Sequence, residues 1–374
     1  MKNKLSIVHF QPVEGYPPVM NVIDSMVIND FETQVISTHH RGGDWFVNWN
    51  CEIYRIGKAY GSVINRYICY LQFAIIGFWK LLKFKPGSIL LYETYSIIPV
   101  YLYLLISPQT PLFIHYHEFE SKAEKQSSSV YSKFLYYLEL HLFAKATWVS
   151  HTNEDRISKF QSDNKMLIPR SIRNFPNYPS SEFYKNLNLT KEVKSPDQTI
   201  SIVQVGALGS GGTYIKEFCQ WIELQNGKYK FSIYSQFIDP AIERYFKINE
   251  FKHIELCGSI PYFQLPDVLG KYDVGVVLYK GDLMNVIYCI PNKVNEYLAC
   301  GLNVWYSDVL ISTHKFAEEN PQYPLYSVDF SKGKDLLAPE YSSEPFEFKH
   351  WHEDAVKPLI DSIKQAMDDS LNTF

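Results

Sequence analysis

The stretch Tyr272-Asp273-Val274-Gly275-Val276-Val277-Leu278-Tyr279, followed after ten residues by Ile290-Pro291-Asn292-Lys293-Val294-Asn295-Glu296-Tyr297-Leu298-Ala299-Cys300-Gly301-Leu302-Asn303-Val304, decides the fold. Residues 274–278 form an apolar run without alternation, the pattern of a strand covered on both faces. An irregular loop follows, and then a helix over 293–299, with Pro291 near its start and Gly301 just past its end, the expected asymmetry of helix termini. A further strand is predicted over 302–306. Strand, crossover helix and strand make the repeating unit of a parallel sheet.

Outward from this block the same alternation continues. Strands are predicted over 200–205, 230–234 and 254–257, with helices over 214–224, 241–246 and 263–270 between them. The first half repeats the pattern, with strands over 5–10, 33–37, 88–92, 112–116 and 147–150. Its helices fall over 19–29, 65–83, 99–106, 129–144 and 153–160. Between 175 and 199 the pattern stops in a segment carrying Pro176, Pro179, Asn186, Asn188, Ser195 and Pro196, which reads as a linker. The expected fold class is α/β, two Rossmann-like doubly wound domains facing a cleft, with ligands at the carboxyl ends of the strands. The expected divisions are a first Rossmann-like domain over 1–175, a linker over 176–199 and a second Rossmann-like domain over 200–345. A last helix within 346–374 is expected to pack back on the first domain.

Composition narrows the function classes. The 374 residues are 46% hydrophobic and 20% charged, which supplies two cores of ordinary size. A net charge of −4 gives no general pull toward nucleic acid, so none is expected as a partner. Cys51, Cys69, Cys219, Cys257, Cys289 and Cys300 stand without a CxxC pair or clustered histidine. Neither a disulfide framework nor a metal site is expected, and reduced thiols in a cytoplasmic protein are the default. The apolar run over 5–10 is too short for a signal peptide. The segment over 67–82 falls short of the roughly 20 residues that cross a bilayer, so no transmembrane helix is expected. With Lys80, Lys83 and Lys85 at its end it reads as a buried helix with a snorkelling basic terminus. Peripheral contact with an anionic membrane is the alternative.

The helix beginning at Asn292 carries the clearest chemistry. Its first backbone N–H groups and its dipole favour an anion such as a diphosphate, and Lys293 adds a full positive charge. Glu296, one turn on, is placed to accept hydrogen bonds from a ribose diol. The loop Gly206-Ala207-Leu208-Gly209-Ser210-Gly211-Gly212 follows a strand and lets phosphates approach the backbone, although it lacks a GxGxxG pattern. In the first half His117 ends a strand, and Glu118 follows it. His115 is expected on the opposite face. The run 41–45, with Trp49, is a possible acceptor surface against the alternative of an ordinary loop.

The block from Pro291 to Gly301 resembles the donor-binding region of GT4-like, retaining GT-B glycosyltransferases, in which a Pro-Asn-Lys-x-x-Glu-Tyr-x-Ala-x-Gly pattern recurs. Supporting order comes from 202–208, from 253–261, from the strand ending His115-Tyr116-His117-Glu118, and from Arg173-Asn174-Phe175-Pro176. The resemblance implies retaining transfer from a UDP- or GDP-linked sugar without a metal or other cofactor. It assigns donor binding to Gly206, Gly209, Gly211, Lys216, Tyr288, Asn292, Lys293 and Glu296, and places His117 and Glu118 beside the transferred sugar. The leaving phosphate oxygen would take the acceptor's proton. The acceptor would be a glycan or lipid-linked glycan, in building a surface polysaccharide. Two departures stand out. Tyr288 occupies the position of a second Glu, and the glycine-rich loop lacks the usual Arg and Lys. The remaining cations are Lys293, Lys280, Lys216, Arg170 and Arg173. These departures keep open a degenerate relative that partners an active transferase, and a sugar-nucleotide epimerase-like relative.

Overall fold

The computed structural model describes residues 3–48, 50–165, 171–184 and 198–371. Arg170, Trp49 and the 185–197 part of the expected linker lie outside the described residues. By its internal contacts the chain divides into two compact units, Met1–Asn177 with His352–Phe374, and Tyr178–Trp351.

The first unit is built on seven strands: β1 (Asn3–His9), β2 (Phe31–Ser37), β3 (Cys51–Arg55), β4 (Ser88–Tyr92), β5 (Leu112–Tyr116), β6 (Trp148–His151) and β7 (Ile172–Asn174). All pairs are parallel, in the spatial order β3-β2-β1-β4-β5-β6-β7. Period-two alternation divides their side chains between two cores. Leu5, Ile7, Val35, Leu90 and Phe113 face the helix Pro17–Ile28 and the C-terminal helix His352–Leu371, whose Val356, Ile360 and Ile363 are buried there. Val8, Ile36, Leu91 and Ile114 face the helices Val63–Phe84, Ile97–Ile106 and Val130–Phe143. The strand order reverses between β1 and β4, so this is the sheet's switch point.

The helix Val63–Phe84 departs from expectation. It has 22 residues, enough by length and composition to cross a membrane, and it is not a buried helix. Cys69, Phe73, Ala74, Gly77 and Leu81 enter the core, with Gly77 backed against Pro99, while Ile64, Leu71 and Trp79 lie 60–70% exposed, at 70%, 62% and 64%. An apolar residue on every face reads as full burial in a sequence, but the sheet offers this helix only one side to pack on.

The second unit holds β8 (Ile200–Val205), β9 (Tyr229–Tyr234), β10 (Ile254–Gly258), β11 (Val274–Val277), β12 (Asn303–Ser307) and β13 (Leu325–Val328), all parallel, in the order β10-β9-β8-β11-β12-β13. Its switch point lies between β8 and β11. Ile202, Phe231, Val276 and Trp305 pack against Phe218 and Ile222 on one face. On the other, Val203, Val277 and Tyr306 pack against Val294, Tyr297 and Leu298 of the helix Asn292–Ala299.

Tyr297 locks that helix to the switch point. A Cβ on Gly275 of β11 would lie 2.2 Å from its ring, and its hydroxyl accepts the N–H of Val205 at the end of β8, at 3.0 Å. The glycine is therefore required by the tyrosine's thickness. Gly275→Ala is expected to lose about 2–3 kcal/mol, the scale of core overpacking. Urea unfolding with a midpoint equal to the parent's would show that the ring can yield.

Candidate functional site

In the second unit part of the sequence-predicted set, Gly206 with Asn292, Lys293 and Glu296, gathers at the carboxyl ends of β8 and β11. Gly206, the residue after β8, has φ 110° and lies directly under the Lys293 side chain, whose Cε and Nζ stand 2.6 Å from where a Cβ would sit. A side chain there is excluded both by backbone conformation and by the lysine. Lys293 Nζ donates to Tyr279 Oη at 3.1 Å and stands 5.1 Å from that ring's centre. Pro291 is the N-cap of the helix Asn292–Ala299, and no side chain caps it. Its first N–H groups at Asn292 and Lys293 therefore open beside the lysine's ammonium.

Glu296 lies one turn further in and is only 8% exposed. Burial pushes its carboxyl up to about 7, with the Lys293 charge pulling the other way. No hydrogen bond to that carboxyl is present among the described residues. A half-ionised acid with free acceptor capacity is well suited to a ligand's hydroxyl donors.

The glycine-rich loop is held at both ends. Leu208 bridges Ile238 and Thr213 bridges Tyr279, and Thr213 Oγ1 donates to Gly209 O at 2.9 Å. A Cβ on Gly209 or Gly211 would meet nothing within 4 Å, so neither glycine is demanded by its neighbours within the chain. The other cations go elsewhere. Lys216 places Nζ 5.5 Å from the centre of the Tyr245 ring, and Lys280 pairs with Glu217 at 2.9 Å. Arg173 is an exposed residue of β7 in the first unit. Tyr288 is half-buried and ends the short helix Met284–Ile287. Among the described residues, Lys293 is thus the cation that the structure brings to Gly206.

In the first unit the ends of β1, β4, β5 and β6 carry His9, Tyr92, Tyr116 and His151, and His117 follows β5. His117 is buried, its Nδ1 lies 2.9 Å from Asn177 Oδ1, and its Nε2 has no partner. The Asn oxygen assigns the proton to Nδ1 and leaves a bare lone pair on Nε2. Burial lowers this ring to about 4, so it is neutral at physiological pH. It stacks on Tyr92 at 5.1 Å between ring centres.

His115 does not take the opposite face. Its ring centre is 4.6 Å from that of His117, because residues two apart on a strand share a face. Its Nδ1 meets Ser150 Oγ at 2.8 Å, a packing role at the strand end. Within the 41–45 run, Asp44 is tied to His39 at 2.6 Å and to Arg55 at 3.5 Å, and Trp45 is exposed.

Sequence reading missed Glu93, the residue after β4 at the switch point. Its backbone stands at φ 62° and ψ 156°, a region that glycine alone adopts readily. Its Oε1 accepts the N–H groups of His117 at 2.7 Å and Glu118 at 3.2 Å. Burial, then the charge of Glu118, raise its carboxyl to about 8. The signal was available, since an acidic residue directly after a fully buried strand has few reasons to be there. Glu93 and Glu118 line a cavity of about 90 Å³ together with Tyr16, Thr94, Lys125 and His151. Lys125 also forms a buried pair with Glu139 at 2.5 Å, and Tyr116 and Thr94 donate to the same carboxylate.

No family model and no curated protein matches the chain. Solved structures do match along nearly its whole length. An α,α-trehalose 6-phosphate synthase from Burkholderia multivorans has a TM-score of 0.57 at 10% identity, covering 100% of this chain and 94% of that one. A sucrose-phosphate synthase from Thermosynechococcus elongatus gives 0.58 at 13%, covering 99% and 91%. Phytolacca americana UGT2, complexed with UDP-2-fluoro-glucose and pterostilbene, gives 0.53 at 10%, covering 98% and 94%. Superposition over nearly the whole chain at such low identity shows a shared fold, two α/β units on parallel sheets, the GT-B class.

Proposed function

We propose that this protein is a glycosyltransferase of the GT4-like, retaining kind, working in the cytoplasm. It moves a sugar from a UDP- or GDP-linked donor to a hydroxyl of a glycan or lipid-linked glycan, in surface polysaccharide synthesis. The observation that carries the reading is the meeting of Lys293, the side-chain-free Gly206 and the buried Glu296 at the switch point of one sheet. A diphosphate seated there meets one full charge and the helix dipole's roughly half charge. Glu296 holds the ribose diol. The solved relatives support the donor class, one of them carrying a UDP-sugar analogue.

Transfer joins the acceptor oxygen to the sugar's anomeric carbon as the bond to the diphosphate breaks. The acceptor proton passes to a leaving phosphate oxygen on the same face. Stabilising the departing diphosphate is then the protein's main contribution. His117, neutral with a bare Nε2, accepts from a sugar hydroxyl rather than acting as an acid.

The arrangement also favours a second reading. With Lys216 on Tyr245 and Lys280 on Glu217, phosphate neutralisation is thin, as in a binding partner that has lost turnover. One experiment separates these. A matching nucleotide-sugar at a hundred times its Kd should stabilise the protein by about 2.7 kcal/mol, read as a rise in Tm. Lys293→Ala should remove most of that rise. No shift with any UDP- or GDP-sugar would sink the transferase reading, whereas a shift without turnover on any acceptor would favour the partner reading. Donor converted to its epimer in the absence of acceptor would place the chemistry in a different class.

A further inference from the structure

The helices Val63–Phe84, Ile97–Ile106 and Val130–Phe143 lie side by side over one face of the first sheet, and their outward sides are apolar. Ile64, Ile68, Leu71, Ile75 and Trp79, spaced by three and four, form one stripe along the longest helix, each at least half exposed. Leu105 and Ile106 continue the surface on the second helix, at 59% and 63% exposed, and Phe134 and Tyr137 on the third, at 51% and 59%. Soluble surfaces seldom leave contiguous apolar area on this scale without a partner.

Charge identifies the partner. Between Ile56 and Tyr116 the sequence has Lys58, Arg66, Lys80, Lys83 and Lys85 against one acid, Glu93, which is turned into the site. Lys133 and Lys145 are exposed on and just beyond the third helix, whose one acid, Glu139, is buried against Lys125. This basic margin belongs to a chain whose net charge is −4. A two-fold dimer through the same face would set these cations against themselves, because such an interface apposes one patch to its own copy.

We infer that this face docks on an anionic lipid bilayer, with the long helix lying in the plane of the interface. The helix does not span the bilayer. Phe73, Gly77 and Leu81 on its inner side are packed into the unit's core, so only its outer stripe is free to enter the acyl boundary, with the lysines at the headgroups. The inference stands on this surface alone and does not depend on the transfer reaction.

Flotation of the full chain with phosphatidylcholine vesicles, with and without about 30% phosphatidylglycerol, tests it. Binding should be at least about tenfold tighter to the anionic vesicles and should weaken with salt, since each surface cation contributes about fivefold. Leu71→Ser with Ile75→Ser should abolish binding to both compositions. Arg66→Glu with Lys133→Glu should remove the preference for anionic lipid. All four positions are exposed, so the melting temperatures should match the parent's, and donor-induced stabilisation should be unchanged. Absence of vesicle binding would overturn the inference. So would a dimer on size exclusion that Leu71→Ser with Ile75→Ser dissociates, which would assign the face to a second copy. Equal binding to both lipid compositions, insensitive to charge reversal, would overturn the anionic assignment.

Discussion

At pH 8, Glu296→Gln melts above the parent chain, yet it binds a nucleotide-sugar about a hundredfold more weakly. Both effects come from the same buried carboxyl. Burial lifts Glu296 from the ordinary 4.5 to about 7, so the folded protein keeps a proton that the unfolded chain releases between those values. In that window the native state binds more protons, and stability falls as pH rises from about 4.5 to about 7. At pH 8 the full penalty is present, about 3 kcal/mol as an order of magnitude. Glutamine matches the protonated acid in shape and carries no charge, so it recovers that energy. Below pH 4.5 both states of the parent are protonated, and the two proteins should melt together.

The binding loss has the opposite origin. An ionised carboxyl accepts two hydroxyl donors, each bond to a charged acceptor being worth about 1.5–3 kcal/mol, whereas glutamine offers one oxygen and a competing donor. Thermal melts across pH, repeated with donor, read both quantities from one protein. If the variant melts higher and still shows the parent's donor shift, the ribose is not held at Glu296. If its melting temperature is unchanged at pH 8, the carboxyl is better solvated than its burial implies.

What the sequence makes legible follows from burial. Strands such as Ser88–Tyr92, Leu112–Tyr116 and Ile200–Val205 are mostly apolar because helices cover both faces, and their limits can be read to the residue. Edge strands lack that signature. Cys51–Arg55 breaks the alternating pattern with Ile53 beside Tyr54 and is only partly buried, Ile172–Asn174 is three residues long, and Leu325–Val328 is partly exposed, so none announces itself. The helix Ile311–Glu319 also passes unread, its Thr-His-Lys and Ala-Glu-Glu runs diluting the apolar period. In the site, Lys293, Glu296 and Gly206 are legible because one helix and one strand end carry them at fixed spacing. The destinations of Lys216 and Lys280 are not, because each is set by a partner distant in sequence, Tyr245 and Glu217. Glu93 left a signal in its place directly after a buried strand, but its partners, the N–H groups of His117 and Glu118, are visible only once β4 and β5 lie side by side.

Glu93→Ala should cut turnover by about a hundredfold while leaving donor-induced stabilisation intact. The two strand ends explain why. Glu93 is held at φ 62°, a conformation costing about 1–3 kcal/mol, and its carboxyl spans from β4 to the N–H groups of His117 and Glu118 after β5. Alanine leaves both donors without this acceptor and frees the backbone to relax, so the His117 ring loses its fixed aim. Glu93→Gln keeps an acceptor oxygen and should restore most of the turnover at pH 7, where the parent's carboxyl is itself largely protonated. The two differ in their titration. Because the folded carboxyl is raised to about 8, the parent loses stability as pH climbs from about 4.5 to about 8, and the glutamine variant should not. Its pH–rate profile should likewise lack the parent's inflection near 8. A purely structural glutamate predicts something else: equal loss of stability and turnover in the alanine variant, and an inflection near pH 8 that persists when glutamine replaces it.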